Sequence, residues 1–242
     1  MLYQSHRGDL YHAPENTMPA FVKAIEGKIF ASIETDPRLT KDKKIVLIHD
    51  KTINRTCRNA DGTIIESPVI PEECTYDELM AYDAGIAFGD EFKGTKIPLL
   101  EELLSYMEGK GVTLALDKAI KTPDLDYLFD VVSRFDVPVS FSVADTERIE
   151  KILSRFPDAI ICYDGPSTDE MLQGVTKLVK PENLKIWLYL DKPNFNWLES
   201  TRKVSKETMD CAKRYAKVGI GNVNNTYDAI EAMEFLPDIL EI

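Results

Sequence analysis

Leu2-Tyr3-Gln4-Ser5-His6-Arg7-Gly8 reads as a short apolar strand that ends in a histidine, an arginine and a glycine. A chain in which strands alternate with helices has two common outcomes, an open doubly wound sheet or a closed (β/α)8 barrel. The open sheet usually announces itself with a GxGxxG first turn, and His6-Arg7-Gly8 is not one. Further strand candidates are 30–35, 45–48, 112–116, 137–143, 159–163, 184–190, 218–223 and 238–242. Helix candidates fall between them at 18–26, 99–109, 122–134, 145–156, 167–178, 206–216 and 226–235. Apolar positions in these recur every three to four residues, as at Leu99, Leu103, Leu104 and Met107. Thr17 precedes the first helix and Pro19 lies early in it; Asp145, Ser167 and Ser205 precede others. This alternation implies a mainly parallel sheet with right-handed crossovers. About eight such units in 242 residues fit an α/β fold of the (β/α)8 TIM barrel type, one domain over 1–242.

One segment, 51–98, breaks the rhythm. Asp61-Gly62 marks a turn, Pro68 and Pro71 punctuate, and 75–80 reads as one helical turn or two. The expectation is a small insertion subdomain after the second or third strand, on the C-terminal rim where loops build active sites. The last strand candidate, 238–242, has no eighth outer helix after it. Either the barrel wall is uncovered there, or a partner or another segment covers it.

A formal charge of −12 and a pI near 4.8 argue against nucleic-acid binding, since such a surface repels phosphate backbones. An anionic substrate would have to be drawn in by a local positive site. Cys57, Cys74, Cys162 and Cys211 are scattered without a CxxC pair, so neither a zinc cluster nor a redox motif is suggested. No apolar run is long enough to span a bilayer, and no signal peptide is recognisable, so stable membrane insertion is not expected. Cytoplasmic location is the default, with a removed leader left open. The oligomeric state is not readable.

Ile33-Glu34-Thr35-Asp36 carries two acids at i, i+2, which share one face of a strand. Asp117 ends the next parallel candidate, 112–116. Three carboxylates at one rim form an oxygen-only set that suits Mg²⁺ or Ca²⁺; the alternative is a group of solvated rim acids. His6 and His49 both end strand-like runs, and each is followed by a charged residue. A lone histidine is more often structural, but two in such settings can exchange protons near neutral pH. His12 reads as a loop histidine. Arg7 and Lys118 could offer fixed positive charge to a phosphate, or simply pair with neighbouring acids. Thr17 reads as a helix cap, while Glu15 and Asn16 could orient Arg7 or the metal shell. Trp187 and Tyr189 alternate in one strand and so share a face, either as core or as a substrate-facing wall.

An ordered series resembles the glycerophosphodiester phosphodiesterase family: His6-Arg7-Gly8, Ala13-Pro14-Glu15-Asn16-Thr17, Glu34-Thr35-Asp36, Thr40-Lys41-Asp42, and His49-Asp50 with Thr52, Arg55 and Thr56. Tyr82-Asp83-Ala84-Gly85 and Ile97-Pro98-Leu99-Leu100-Glu101-Glu102-Leu103-Leu104 continue it, and the second half matches mainly in rhythm and in Val223-Asn224. The resemblance implies a TIM barrel with a small insertion after the second histidine. It also implies metal-dependent hydrolysis of a small-molecule glycerophosphodiester. His6 and His49 would be the acid–base pair, Glu34, Asp36 and a third carboxylate would hold one divalent cation, and Arg7 would contact phosphate.

Three departures stand out. At the third acid the best match is Asp117, with Ala119 where the family commonly has Lys and Lys118 beside the acid. Adjacent strand residues face opposite ways, so Lys118 can substitute only if the strand ends or bends there. Gly221-Asn222 stands where the family often has Trp-Thr, which is expected to open space, and the late Thr-Asp pair is not seen in Leu240-Glu241-Ile242. These departures leave room for two other readings, a catalytically silent phosphodiester-binding barrel and a lysophospholipid-type phosphodiesterase.

Overall fold

The computed structural model describes residues 1–192 and 198–242. In chain order the elements are β1 (Leu2–Ser5), α1 (Met18–Glu26), β2 (Ser32–Thr35), β3 (Pro37–Leu39), β4 (Ile45–Leu47), β5 (Arg58–Asn59), α2 (Tyr76–Leu79), β6 (Tyr82–Asp83), α3 (Leu100–Met107), β7 (Thr113–Leu116) and α4 (Leu125–Val132). They continue with β8 (Val139–Val143), α5 (Thr146–Arg155), β9 (Ile160–Tyr163), α6 (Asp169–Thr176), β10 (Leu184–Tyr189), α7 (Lys206–Ala212), β11 (Lys217–Gly221), α8 (Thr226–Met233) and β12 (Ile239–Glu241). The strand order β1-β12-β11-β10-β9-β8-β7-β2 is that of a closed (β/α)8 barrel. No helix among the described residues is long and apolar enough to cross a membrane.

The chain forms two compact units. One comprises Met1–Gln4 and Val139–Ile242. Its strands are parallel; β10 runs against β11 from Lys185↔Lys217 to Tyr189↔Gly221. Leu184, Ile186, Trp187 and Leu188 of β10 are all buried, as expected of a parallel strand covered on both faces. The cap of α6 is Thr168, which accepts from the Met171 N–H, and not Ser167 one residue earlier. Trp187 packs with Cys162 and Ile239, so it is core, and the Tyr189 hydroxyl donates to Asp164 Oδ2 at 3.1 Å. Gly221 opens no space: a Cβ there would meet Glu241 Oε2 at 2.8 Å and Tyr189 Cε1 at 2.9 Å. The space beside Gly221 is taken by the Tyr189 ring of the neighbouring β10. Leu2 and Tyr3 of β1 remain exposed.

The other unit comprises Ser5–Pro138. In it β2 pairs with β7 in parallel register from Ser32↔Thr113 to Thr35↔Leu116. Here one expectation is corrected. Segment 45–48 is no barrel strand: Ile45–Leu47 pairs antiparallel with Pro37–Leu39. The reason is connection length. Parallel neighbours need a crossover of a dozen residues or more, and only a short turn separates β3 from β4. That turn is closed by the Thr40 N–H on the Lys44 carbonyl at 2.8 Å, with Lys43 in the left-handed region at φ +63°. The excursion therefore begins at Pro37, earlier than residue 51. It has a core of its own, built from Val46, Ile48, Ile53, Cys57, Ile65, Leu79, Ala84 and Ile97. Within it, Thr75 and Glu78 form a capping box that starts the single turn of α2.

Candidate active site

His6, Arg7, Glu34, Asp36, His49, Asp117 and Lys118 all lie in the unit Ser5–Pro138. β2 carries Glu34 and then delivers Asp36; both are buried, at 7% and 3% exposure. Beyond β7, the Asp117 N–H donates to the Thr35 carbonyl at 3.0 Å, which sets Asp117 beside Asp36 across the parallel pair. Burial, first, and the neighbouring Asp117 charge raise the Asp36 pKa above the ordinary carboxylate value, while Arg7, His49 and Asn16 pull it back.

Arg7 is held by three acids. Its backbone N–H donates to Glu34 Oε2 at 3.2 Å, its Nε pairs with Asp36 Oδ2 at 3.2 Å, and its Nη1 donates to Glu15 Oε1 at 3.0 Å. This needs a sharp turn after β1. Arg7 has φ +60° and Gly8 φ +86°, and a Cβ on Gly8 would fall 2.8 Å from the Ala20 backbone. Only glycine fits that approach without strain.

Asn16 organises the floor. Its amide donates to Asp36 Oδ2 at 2.8 Å, and its carbonyl accepts from the Thr35 hydroxyl at 2.8 Å. It also touches Arg7, whose carbonyl accepts from the Asn16 backbone N–H at 3.0 Å. Thr17 does not cap α1 with its side chain; its hydroxyl donates to the Pro14 carbonyl at 2.5 Å.

His6 directly follows β1 and is partly buried. Burial, first, and the adjacent Arg7 charge lower its pKa from 6.5 to about 4, with His49 acting the same way and Asp36 and Glu15 opposing. Those influences bring His6, Arg7, Glu15, Asp36 and His49 into one electrostatic neighbourhood. His49 is more exposed and follows β4, outside the parallel ladder. Its Nδ1 lies 2.7 Å from Asp50 Oδ1, and its backbone carbonyl accepts from Arg38 Nη2 at 2.8 Å. Arg55 contacts two acids. Its Nε and Nη2 donate to Asp50 Oδ2 and Oδ1 at 2.6 and 3.1 Å, and its Nη1 and Nη2 donate to Glu15 Oε2 and Oε1, both at 2.8 Å. Hydrogen bonding from Arg55 drives the Asp50 pKa down to about 2.

Lys118 pairs with Asp117, Nζ to Oδ1 at 3.5 Å. β7 ends at Leu116 and the chain bends at Lys118, so the two side chains are free of strand alternation. His12 is a loop residue, paired with Asp9. Arg38 and Arg55 had no role assigned from the sequence. Arg55 lies 40 positions from Glu15, and nothing local in a sequence signals such a partner.

Glu34, Asp36 and Asp117 are oxygen donors of the type a hard cation takes, and the raised Asp36 pKa marks a buried carboxylate beside a partly exposed one. Arg7 supplies counter-charge in the structure as it stands. Among the described residues, no three His, Cys, Asp or Glu side chains form a group that could hold a metal ion. The three acids suit a hard cation by donor type, while their side chains are not gathered around one point.

The model of the glycerophosphoryl diester phosphodiesterase family matches residues 6–154. A glycerophosphodiester phosphodiesterase of Caldanaerobacter subterraneus subsp. tengcongensis is 41% identical over 106 residues, covering 44% of this chain and 40% of the relative. One from Bacillus altitudinis is 41% identical over 103 residues, covering 43% and 38%. The chain thus spans about two fifths of the length of these curated relatives. Among solved structures, an Oleispira antarctica phosphodiesterase in complex with the product sn-glycerol-3-phosphate superposes with a TM-score of 0.78 at 20% identity, over 100% of this chain and 92% of that one. A glycerophosphodiester phosphodiesterase from Agrobacterium tumefaciens gives a TM-score of 0.70 at 19% identity, over 100% and 95%. At these identities the likeness establishes the fold.

Proposed function

Because the chain belongs to the glycerophosphoryl diester phosphodiesterase family, we propose that it hydrolyses a glycerophosphodiester, releasing glycerol 3-phosphate or a related phosphomonoester and an alcohol. The observation that carries this reading is the shared surroundings of His6, Arg7, Asp36 and His49. The product bound in the Oleispira antarctica structure supports the substrate class.

His6 is the base and His49 the acid. A His6 pKa of about 4 leaves its imidazole neutral at neutral pH, the form that accepts a proton. It takes the proton of a neighbouring glycerol hydroxyl as that oxygen bonds to phosphorus. His49 protonates the leaving alcohol as the ester P–O bond breaks. Water then opens the cyclic phosphate with the two roles reversed. Arg7, held by Glu15 and Asp36, offers charge to the phosphate, and Lys118 is the second candidate for that task. Glu34, Asp36 and Asp117 would hold one Mg²⁺ or Ca²⁺. Such an ion supplies charge neutralisation at a phosphate oxygen and a more acidic hydroxyl or water.

The test is hydrolysis of glycerophosphocholine and glycerophosphoethanolamine with Mg²⁺ or Ca²⁺ and with a chelator. Turnover that needs the cation and falls by about 10²–10⁴ in His49→Ala is expected. Binding without turnover under every condition would mean a silent binding barrel, and cleavage of lysophospholipids alone would move the substrate class.

A further inference from the structure

We propose that Arg55 is a positioning residue: it fixes the tautomer and orientation of His49 through Asp50 and ties that histidine to Arg7 through Glu15. The proposal rests on the reading of His49 as a proton carrier in the reaction.

The connection is continuous. From His49 Nδ1 it passes to Asp50 Oδ1 at 2.7 Å, to the Arg55 guanidinium at 2.6 and 3.1 Å, to Glu15 at 2.8 and 2.8 Å, and from Glu15 Oε1 to Arg7 Nη1 at 3.0 Å. Two charged heads on different loops are thereby joined by one planar fork. Asp50 Oδ1 receives both Arg55 Nη2 and the His49 ring. With Arg55 in place Asp50 stays ionised, and an ionised carboxylate only accepts. His49 Nδ1 must therefore carry the hydrogen, which leaves Nε2 as the nitrogen that exchanges protons. Arg38 holds the other side of the residue through the His49 carbonyl, so the ring is fixed at both its backbone and its Nδ1.

A stability role accounts poorly for this arrangement. The Arg55 side chain is about half exposed, at 49%, and ion pairs so placed add little to folding. Four N–H···O bonds shared between two carboxylates, with three nitrogens in one plane, are a property of the guanidinium, and lysine cannot reproduce that geometry. Its ammonium is a point charge without a fork.

The experiment compares wild type, Arg55→Gln and Arg55→Lys by steady-state kinetics on glycerophosphocholine and by ¹⁵N NMR of labelled histidine. The chain has three histidines, so the spectrum is sparse. At a pH where the ring is neutral, the wild-type His49 signals should show the Nδ1–H tautomer. Arg55→Gln should mix the tautomers and lower kcat about 10–100-fold, the usual cost of removing an outer orienting partner, with KM changed less than about threefold. Arg55→Lys keeps the charge and the fold yet should not restore kcat. An unchanged His49 tautomer in Arg55→Gln, full kcat in Arg55→Lys, or a loss confined to KM would each overturn the proposal. Absence of turnover in the wild type would instead overturn the reading of His49 as a proton carrier; the NMR comparison would then still decide whether Arg55 sets the tautomer.

Discussion

Arg7 Nε lies 3.2 Å from Asp36 Oδ2 while the backbone N–H of the same arginine donates to Glu34 Oε2 at 3.2 Å. One residue in the turn after β1 is anchored to an acid within β2 and to the acid that directly follows it. The arginine is therefore held in place before any phosphate arrives, and the acids have a counter-charge before any cation does.

Arg7→Lys should keep the charge and lose the fork. Arg7 reaches Asp36 through Nε and Glu15 through Nη1, two separate nitrogens of one rigid plane, and lysine has a single nitrogen in their place. A fall in kcat/KM of tenfold or more is expected, which is about 1.4 kcal/mol of transition-state stabilisation. Steady-state kinetics on glycerophosphocholine check it, and an unchanged kcat/KM would remove Arg7 from phosphate recognition.

A divalent cation that binds the folded chain must stabilise it. At one hundred times its Kd the gain is about 2.7 kcal/mol, visible as a raised Tm. Mg²⁺ or Ca²⁺ should raise Tm in the wild type, and Asp117→Asn should abolish the rise. Thermal melts with and without chelator decide it. No shift with either ion would argue against a cation held by Glu34, Asp36 and Asp117.

His6 gives the folding equilibrium a pH dependence of known sign. Its folded pKa of about 4 lies below the ordinary 6.5, so the unfolded chain takes up the proton first as pH falls. The contribution of His6 to stability is whole above pH 6.5, falls between 6.5 and about 4, and is level below that. Asp50 acts in a lower window. Its folded pKa of about 2 makes its contribution present above the ordinary 3.8 and lost as pH falls through 2. Denaturant unfolding at a series of pH values should show a shallower slope between 6.5 and 4 in His6→Gln than in the wild type. Parallel slopes would contradict the burial of a neutral ring.

Gly8→Ala should destabilise by about 1–3 kcal/mol, the cost of a strained backbone conformation. The new Cβ would meet the Ala20 backbone at 2.8 Å, and φ +86° is unfavourable for any L side chain. Because Arg7 sits in the same turn, activity should fall with stability. A melt and a rate measured on the same preparation separate this from a neutral change.

Much of the architecture is local in origin and was open to reading. β1 at Leu2–Ser5 and α1 at Met18–Glu26 have the bounds their apolar patterns indicate. His6, Arg7, Glu34, Asp36, Asp117 and His49 sit at element ends, where short motifs carry the signal. Segment 45–48 misled because an apolar run looks the same in a parallel and an antiparallel strand. The connection length held the answer: the turn between β3 and β4 is too short for a crossover. Thr17 does take the N-cap position of α1, but its hydroxyl bonds the Pro14 carbonyl instead of a helix N–H, and at α6 the cap falls to Thr168 because two adjacent hydroxyl residues compete for one end.

Residue type and order set the strand–helix rhythm, the acids of β2 and the two histidines, because these depend on neighbours within a few positions. Folding alone could choose partners far apart in the chain. It brought Arg55 onto Glu15 across 40 positions, and it set the Tyr189 ring against Gly221, where the sequence suggested open space. Such pairings follow from which loops and strands come to lie side by side, and no local pattern encodes that.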